Sequence, residues 1–184
     1  MTFLSLFAGV GGFDLALIRL GMRCVGQVEL DPAAQRVLAR HFPETARHDD
    51  IHTTLAWWQA IPRPPVDLIC AGWPCQDLSQ AGRRAGLAGS RSGLFFDLAR
   101  VVHALRPGWL LLENVPGLLT CNQGADFQTV LATLVQLGYG VSWRVLMRAT
   151  FSGLRRRIVA DFVRHGLRVV HAVWGVPPSG SMPC

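Results

Sequence analysis

Short apolar runs and segments of helical spacing take turns along most of this 184-residue chain, and glycine or proline separates many of them. "TFLSLF" (2–7) reads as a buried strand, followed by a glycine turn and a helix over about 12–21. "CVGQVEL" (24–30) is the next strand, and "DPAAQRVLARHF" opens with an aspartate N-cap and a proline at the first helical position. "WWQAI" ends a short helix, and "VDLICAG" (66–72) is a third strand. "GLFFDLARVVHAL" (93–105) has helical apolar spacing and stops before Pro107. "GWLLLENV" (108–115) is a fourth strand, "DFQTVLATLVQLG" (126–138) a helix closed by glycine, and "VSWRVL" (141–146) a fifth strand. Strand and helix in this rhythm predict an α/β fold, a mostly parallel sheet with helices on both faces. Ligands in such a fold belong at the carboxyl ends of the strands.

Those strand ends carry the residues of interest. The first runs into "FAGVGGFD", whose glycines let the backbone turn sharply near a helix N-terminus. Alone, this favours a plain glycine turn. The second strand ends in Glu29, at about the distance from the turn where a carboxylate grips a ribose hydroxyl pair. Together they shift the reading toward an adenosine-containing cofactor, while the lack of a third glycine on the dinucleotide spacing argues against NAD. Asp50 in "HDDI" either meets an adenine amino group or is simply solvated.

Cys75 follows the third strand in "AGWPCQDLSQAG", directly after Pro74, where a packing cysteine would sit in the apolar run as Cys70 does. Glu113 follows the fourth strand. A thiolate and a carboxylic acid on one sheet edge suit addition to a conjugated ring, one attacking and the other protonating. The plainer reading of Glu113 is an acid satisfied by Asn114 or by backbone amides. His48 and His52 lie four apart, but no further histidine or cysteine is spaced to complete a metal site, and no metal is expected.

Charge and cysteine content narrow the setting. The net charge is +6 and all eighteen basic residues are arginine. A polyanionic partner suits this balance, as does a basic protein without one. Five cysteines, an odd number without regular spacing, point to a reducing, cytoplasmic setting. No apolar run reaches the length of a membrane span, and the N-terminus lacks the basic region of a signal peptide.

These residues together resemble one family, the cytosine-C5 DNA methyltransferases, which use S-adenosylmethionine. "FAGVGGFDLAL", "VELDP", "DDI", "PCQDLS", "SGLFFDLARV" and "LLLENVPGLL" are similar to its first six motifs and occur in order over 3–146. The resemblance implies a Rossmann-like methyltransferase fold, restriction-modification chemistry and double-stranded DNA as partner. It implies that Phe7, Gly9 and Gly11 cradle the cofactor, Glu29 holds its ribose, Asp50 and Ile51 meet its adenine, and Leu94 packs on that adenine from the other side. Pro74, Cys75, Gln76, Glu113 and Asn114 form the implied catalytic set. Cys75 would attack C6 of a flipped cytosine and Glu113 would protonate or hydrogen-bond N3. Arg83, Arg84 and Arg91, in the loop after Cys75, would meet phosphates. Asp77 and Leu78 stand where many members have a proline and an aromatic residue.

Beyond residue 146 the resemblance weakens. "MRATFSGLRRRIVADF" has Leu154 where the family has a glutamine, and Arg155 and Arg157 are either a degenerate cytosine-contacting strand or a chance cluster. The expected division is a catalytic core over 1–146 and a divergent or truncated segment over 147–184, without a target-recognition region. Three functions compete: a DNA cytosine methyltransferase with recognition supplied by a second chain, a non-catalytic remnant of one, and a tRNA cytosine methyltransferase. Membership of the family is expected, and activity of this chain alone is not.

Overall fold

The computed structural model describes residues 1–74, 93–148 and 155–164, the backbone only for 146–148 and 155–164. The chain forms β1 (Thr2–Leu6), α1 (Gly12–Arg19), β2 (Arg23–Val28), α2 (Pro32–His41), β3 (Arg47–His48) and α3 (Thr54–Gln59). It continues through β4 (Leu68–Gly72), α4 (Gly93–Leu105), β5 (Trp109–Asn114), α5 (Ala125–Gln136), β6 (Tyr139–Arg148) and β7 (Arg155–Arg164). Short 3-10 turns occupy Ile51–Thr53, Pro116–Leu119 and Cys121–Gly124.

Local chemistry places these elements much as the sequence predicts. Asp31 caps α2 by accepting the Ala33 amide at 2.8 Å, with Pro32 at the first helical position. The seven strands form one sheet in the order β3-β2-β1-β4-β5-β7-β6. The first five pair in parallel, whereas β7 runs antiparallel to both β5 and β6. The fold is thus the expected mostly parallel α/β sheet. Chain order reverses between β1 and β4, which opens a crevice at their carboxyl ends.

The last two strands lie across and beyond the expected boundary near residue 146. β6 runs through it to Arg148, and β7 returns to pair with β5 from Trp109↔Val163 to Asn114↔Ile158. Backbone pairing across the sheet carries ordered strand to residue 164, a stretch whose three adjacent arginines show no local strand period.

The two faces of the sheet are covered unequally. Leu4, Leu6, Ile69, Ala71, Leu110 and Leu112 join the main core with Phe95 and Leu98 of α4 and Val130 and Leu134 of α5. On the opposite face Phe3, Leu68 and Cys70 pack with Leu17 of α1 in a smaller cluster. On the buried face of α1, in its first turn, the fully buried Asp14 accepts hydrogen bonds from Ser5 Oγ at 2.9 Å and Gln27 Nε2 at 2.8 Å. Among the described residues, no helix is long and apolar enough to cross a membrane.

Candidate functional site

The carboxyl ends of β1 and β2 build the first half of the site. Phe7 adopts the left-handed region at φ 53°, an uncommon conformation for a bulky residue that turns the chain directly after β1. The Ala8 amide then donates to the Val28 carbonyl at 3.0 Å, tying the turn to β2. Gly11 sits at φ 86°, and a Cβ there would lie 2.5 Å from a ring carbon of Phe42, so only glycine fits. Gly9 differs, because nothing lies within 4 Å of the position a Cβ would take.

Glu29 holds this turn from the end of β2. Its Oε2 accepts the Gly9 amide at 2.7 Å and its Oε1 accepts the Asp31 amide at 2.8 Å. Each carboxylate oxygen has a second lone pair, so the group can still accept a pair of hydroxyls from a ligand. Open space beside Gly9 and a carboxylate with spare acceptor capacity fit a ribose-bearing cofactor. After β3, Asp50 Oδ1 accepts the His52 amide at 2.9 Å and so starts the turn that carries buried Ile51. Leu94, half-buried in the first turn of α4, packs against the same core as Ile51. The structure therefore brings Phe7, Gly9, Gly11 and Glu29 together, with Asp50 and Ile51 following the adjacent strand.

The second half lies at the ends of β4 and β5. Gly72 pairs with Glu113, and a Cβ on Gly72 would lie 2.9 Å from Glu113 Oε2. The carboxylate occupies the space that a side chain on β4 would fill. Buried Asn114 donates from Nδ2 to the Trp73 carbonyl at 3.2 Å and accepts the Val115 amide at Oδ1 at 2.8 Å. It thereby ties the end of β5 to the residue before Pro74. Trp73 is anchored in turn by a tilted ring contact with Phe95, centroids 5.5 Å apart.

Cys75, Gln76, Arg83, Arg84 and Arg91 lie outside the described residues. Arg157 pairs with Leu146, and Arg155 with Arg148, at the end of β7 that enters the sheet beside the end of β5. Backbone register thus brings these two positions to the same edge as Glu113.

Cys70 and Cys24 are poor nucleophiles. Burial, and then the nearby Asp14 carboxylate, push the Cys70 thiol up to about 12. The same two causes raise Cys24 still further. His48 stacks on Trp57 with centroids 5.0 Å apart, while His52 turns to Asp97 at 2.9 Å. Among the described residues, no group of His, Cys, Asp or Glu side chains is arranged to hold a metal.

Three contributions escaped sequence reasoning. Asp14 lies within the glycine motif, but its burial depends on Ser5 and Gln27 in two separate strands. Gly72 reads as an ordinary strand end until Glu113 is found across from it. Asp97 carries the spacing of an exposed helix position, with no local sign of its partner His52.

Comparison with known proteins gives a consistent result. The family model for C-5 cytosine-specific DNA methylase matches residues 1–170. The Type II methyltransferase M2.BsuMI of Bacillus subtilis (strain 168) is 40% identical over 161 residues, covering 85% of this chain and 40% of that one. M.DsaV of Dactylococcopsis salina is 36% identical over 157 residues, covering 85% and 43%. Among solved structures, Spodoptera frugiperda DNMT2 matches in fold with a TM-score of 0.68 at 22% identity, over 89% of this chain and 50% of that one. The chain spans about two fifths of the length of the two Type II relatives.

Proposed function

The chain belongs to the C-5 cytosine-specific DNA methylase family, and we propose that it carries the cofactor and catalytic half of a DNA cytosine-C5 methyltransferase. The observation that carries this reading is the Gly72–Glu113 pairing, with Asn114 bonded to Trp73 two residues before Cys75. Strand pairing at that edge sets a carboxyl group beside the start of the segment holding the nucleophile.

In this reading Glu29 accepts the ribose hydroxyls of S-adenosylmethionine, and Phe7, Gly9 and Gly11 form the turn around it. Asp50, Ile51 and Leu94 hold the adenine. The target base is extruded from duplex DNA, because C6 is shielded in the stack. The Cys75 thiolate forms a bond to C6, and Glu113 donates a hydrogen bond or proton at N3 so that charge developing on the ring is stabilised. Bound S-adenosylmethionine supplies the methyl group that C5 takes. Loss of the C5 proton then restores the C5–C6 double bond and expels the Cys75 thiolate. Pro74 stiffens the approach to Cys75, and Gln76 follows it in the same motif. Arg83, Arg84, Arg91, Arg155 and Arg157 are assigned to phosphates or to the cytosine edge.

The Type II relatives are more than twice as long as the matched region, and we place target recognition outside that region. The setting proposed for the reaction is the cytoplasm. The test is transfer of label from methyl-labelled S-adenosylmethionine to unmethylated duplex DNA of mixed sequence, beside Cys75→Ser. Label in DNA that disappears in the variant supports the mechanism, and label that persists overturns the nucleophile. A folded, cofactor-binding chain that labels nothing, even with cell extract added, favours the non-catalytic remnant. Label that tRNA captures in competition moves the substrate to RNA.

A further inference from the structure

Asp97 joins two parts of the molecule that the cofactor reading uses separately. It lies on α4, three residues after Leu94 and therefore on the same side of the helix. Its Oδ2 is 2.9 Å from His52 Nδ1, and His52 directly follows Ile51. Its Oδ1 is 3.0 Å from Arg100 Nη2, one turn further along α4. That same Arg100 nitrogen donates to the His52 backbone carbonyl at 3.0 Å. The turn carrying Ile51 is thus gripped twice from α4, through its histidine ring and through its backbone.

We propose that Asp97 is a positioning residue for the adenine end of the cofactor, setting the separation of Ile51 and Leu94 by drawing His52 and Arg100 onto one carboxylate. The proposal rests on the reading above, in which those two residues face each other across the adenine. Its physical basis is that Ile51 and Leu94 belong to elements far apart in sequence. Apolar contact alone is non-directional and tolerates a range of spacings, whereas hydrogen bonds to a charged acceptor are short and angle-dependent. With a carboxylate facing it, His52 Nδ1 is the protonated ring nitrogen, so the link forms with neutral imidazole as well. Asp50 adds to the effect, because its Oδ1 holds the His52 amide at 2.9 Å and restricts the turn from its other end.

The cluster is poorly placed to serve folding. Asp97 is only 17% exposed, but its His52 and Arg100 partners are 58% and 52% exposed, and ion pairs with such solvent-facing partners contribute little to stability. A device that positions a binding wall without supporting the core separates affinity from stability, and the experiment uses that separation.

Binding of S-adenosylmethionine and of its demethylated product, S-adenosylhomocysteine, is measured by titration calorimetry on the full chain. The variants are Asp97→Asn, Asp97→Glu and Leu94→Ala, each with its thermal midpoint recorded in the absence of ligand. Asp97→Asn is expected to raise both dissociation constants about fivefold, the equivalent of one modest hydrogen bond, while its midpoint stays at the wild-type value. Asp97→Glu, which keeps the charge and both acceptors, is expected to recover most of the loss. Wild-type affinity in Asp97→Asn overturns the proposal, and so does weakened binding that tracks a lowered midpoint. Leu94→Ala tests the underlying reading separately: unchanged affinity in that variant removes Leu94 from the adenine site, whatever Asp97 does. A wild-type chain that binds neither ligand overturns the reading and the positioning role together.

Discussion

The carboxyl ends of β1 and β2 share one sheet edge with those of β4 and β5, yet the two halves are held by different means. On the cofactor side the turn after β1 is fastened redundantly. Glu29 bonds two backbone amides, Ala8 bonds across to β2, and Asp14 is buried on the inner face of α1 with Ser5 and Gln27 as donors. On the side proposed for the chemistry, the described residues contribute one glycine that leaves room for a carboxylate and one asparagine that ties two strand ends. A binding site needs a fixed frame that tolerates small errors, because its contacts are many. A catalytic carboxyl group needs one exact position, which a single vacancy in the neighbouring strand can define.

The contrast is broken most sharply at Gly72. Gly72→Ala places a methyl group 2.9 Å from Glu113 Oε2, closer than ordinary contact allows, and the atom displaced is the far end of a flexible side chain. Methyl transfer, measured with whatever recognition partner it requires, is expected to fall about a hundredfold, as displacements near 1 Å do elsewhere. Cofactor affinity and thermal midpoint are expected to hold. Equal loss of stability and rate would show that Gly72 serves folding rather than Glu113.

Asp14→Asn probes the frame instead. Replacing one carboxylate oxygen with an amide nitrogen weakens the hydrogen bonds that a carboxylate accepts and forces the Ser5 hydroxyl to accept rather than donate in a buried site, which costs about 2 kcal/mol, or about thirtyfold in the folding equilibrium. Denaturant titration checks this, and an unchanged midpoint would remove Asp14 from the frame. Glu29→Gln lies between the two halves in kind. It turns one acceptor oxygen into a donor facing a backbone N–H and weakens the grip on ribose, so the dissociation constant for S-adenosylmethionine is expected to rise about tenfold.

The smallest effect is one of pH. The folded state holds the Cys70 thiol up to about 12, above its ordinary 9.0, so folding favours the neutral form. The resulting stability is fully present below pH 9 and is lost as pH rises from 9 toward 12, where the unfolded chain ionises and the folded one does not. Cys70→Ala is expected to flatten that loss, a difference of about fourfold in the folding equilibrium at pH 9.5 and none at pH 7. Identical pH profiles for the variant and the wild type would assign the alkaline loss to other groups.

Much of the frame was readable in advance because its signals are local. The Asp31–Pro32 start of α2, the apolar spacing of α4 and the glycine after α5 each act within a few residues, and the structure has helices at all three places. β3 was not readable, and β7 only as one of two alternatives, for the opposite reason. Two residues, Arg47 and His48, count as a strand only because β2 lies beside them, and β7 exists because β5 and β6 supply both rows of partners.

The candidate site divides along the same line. Which residues stand after which strand is a matter of order along the chain, so Glu29, Asp50, Cys75 and Glu113 could be named from the sequence and its resemblance to a family. Their surroundings are set by contacts across long separations, which no local pattern encodes. Side-chain alternation decided that Asp14 is buried against Ser5 and Gln27, strand register decided that Gly72 faces Glu113, and helix docking decided that Asp97 meets His52. Residue identity and element order are properties of the chain, and they set the chemistry available at the sheet edge. Tertiary structure alone decided which of those groups are held, and by what, because register and docking satisfy many distant residues at once.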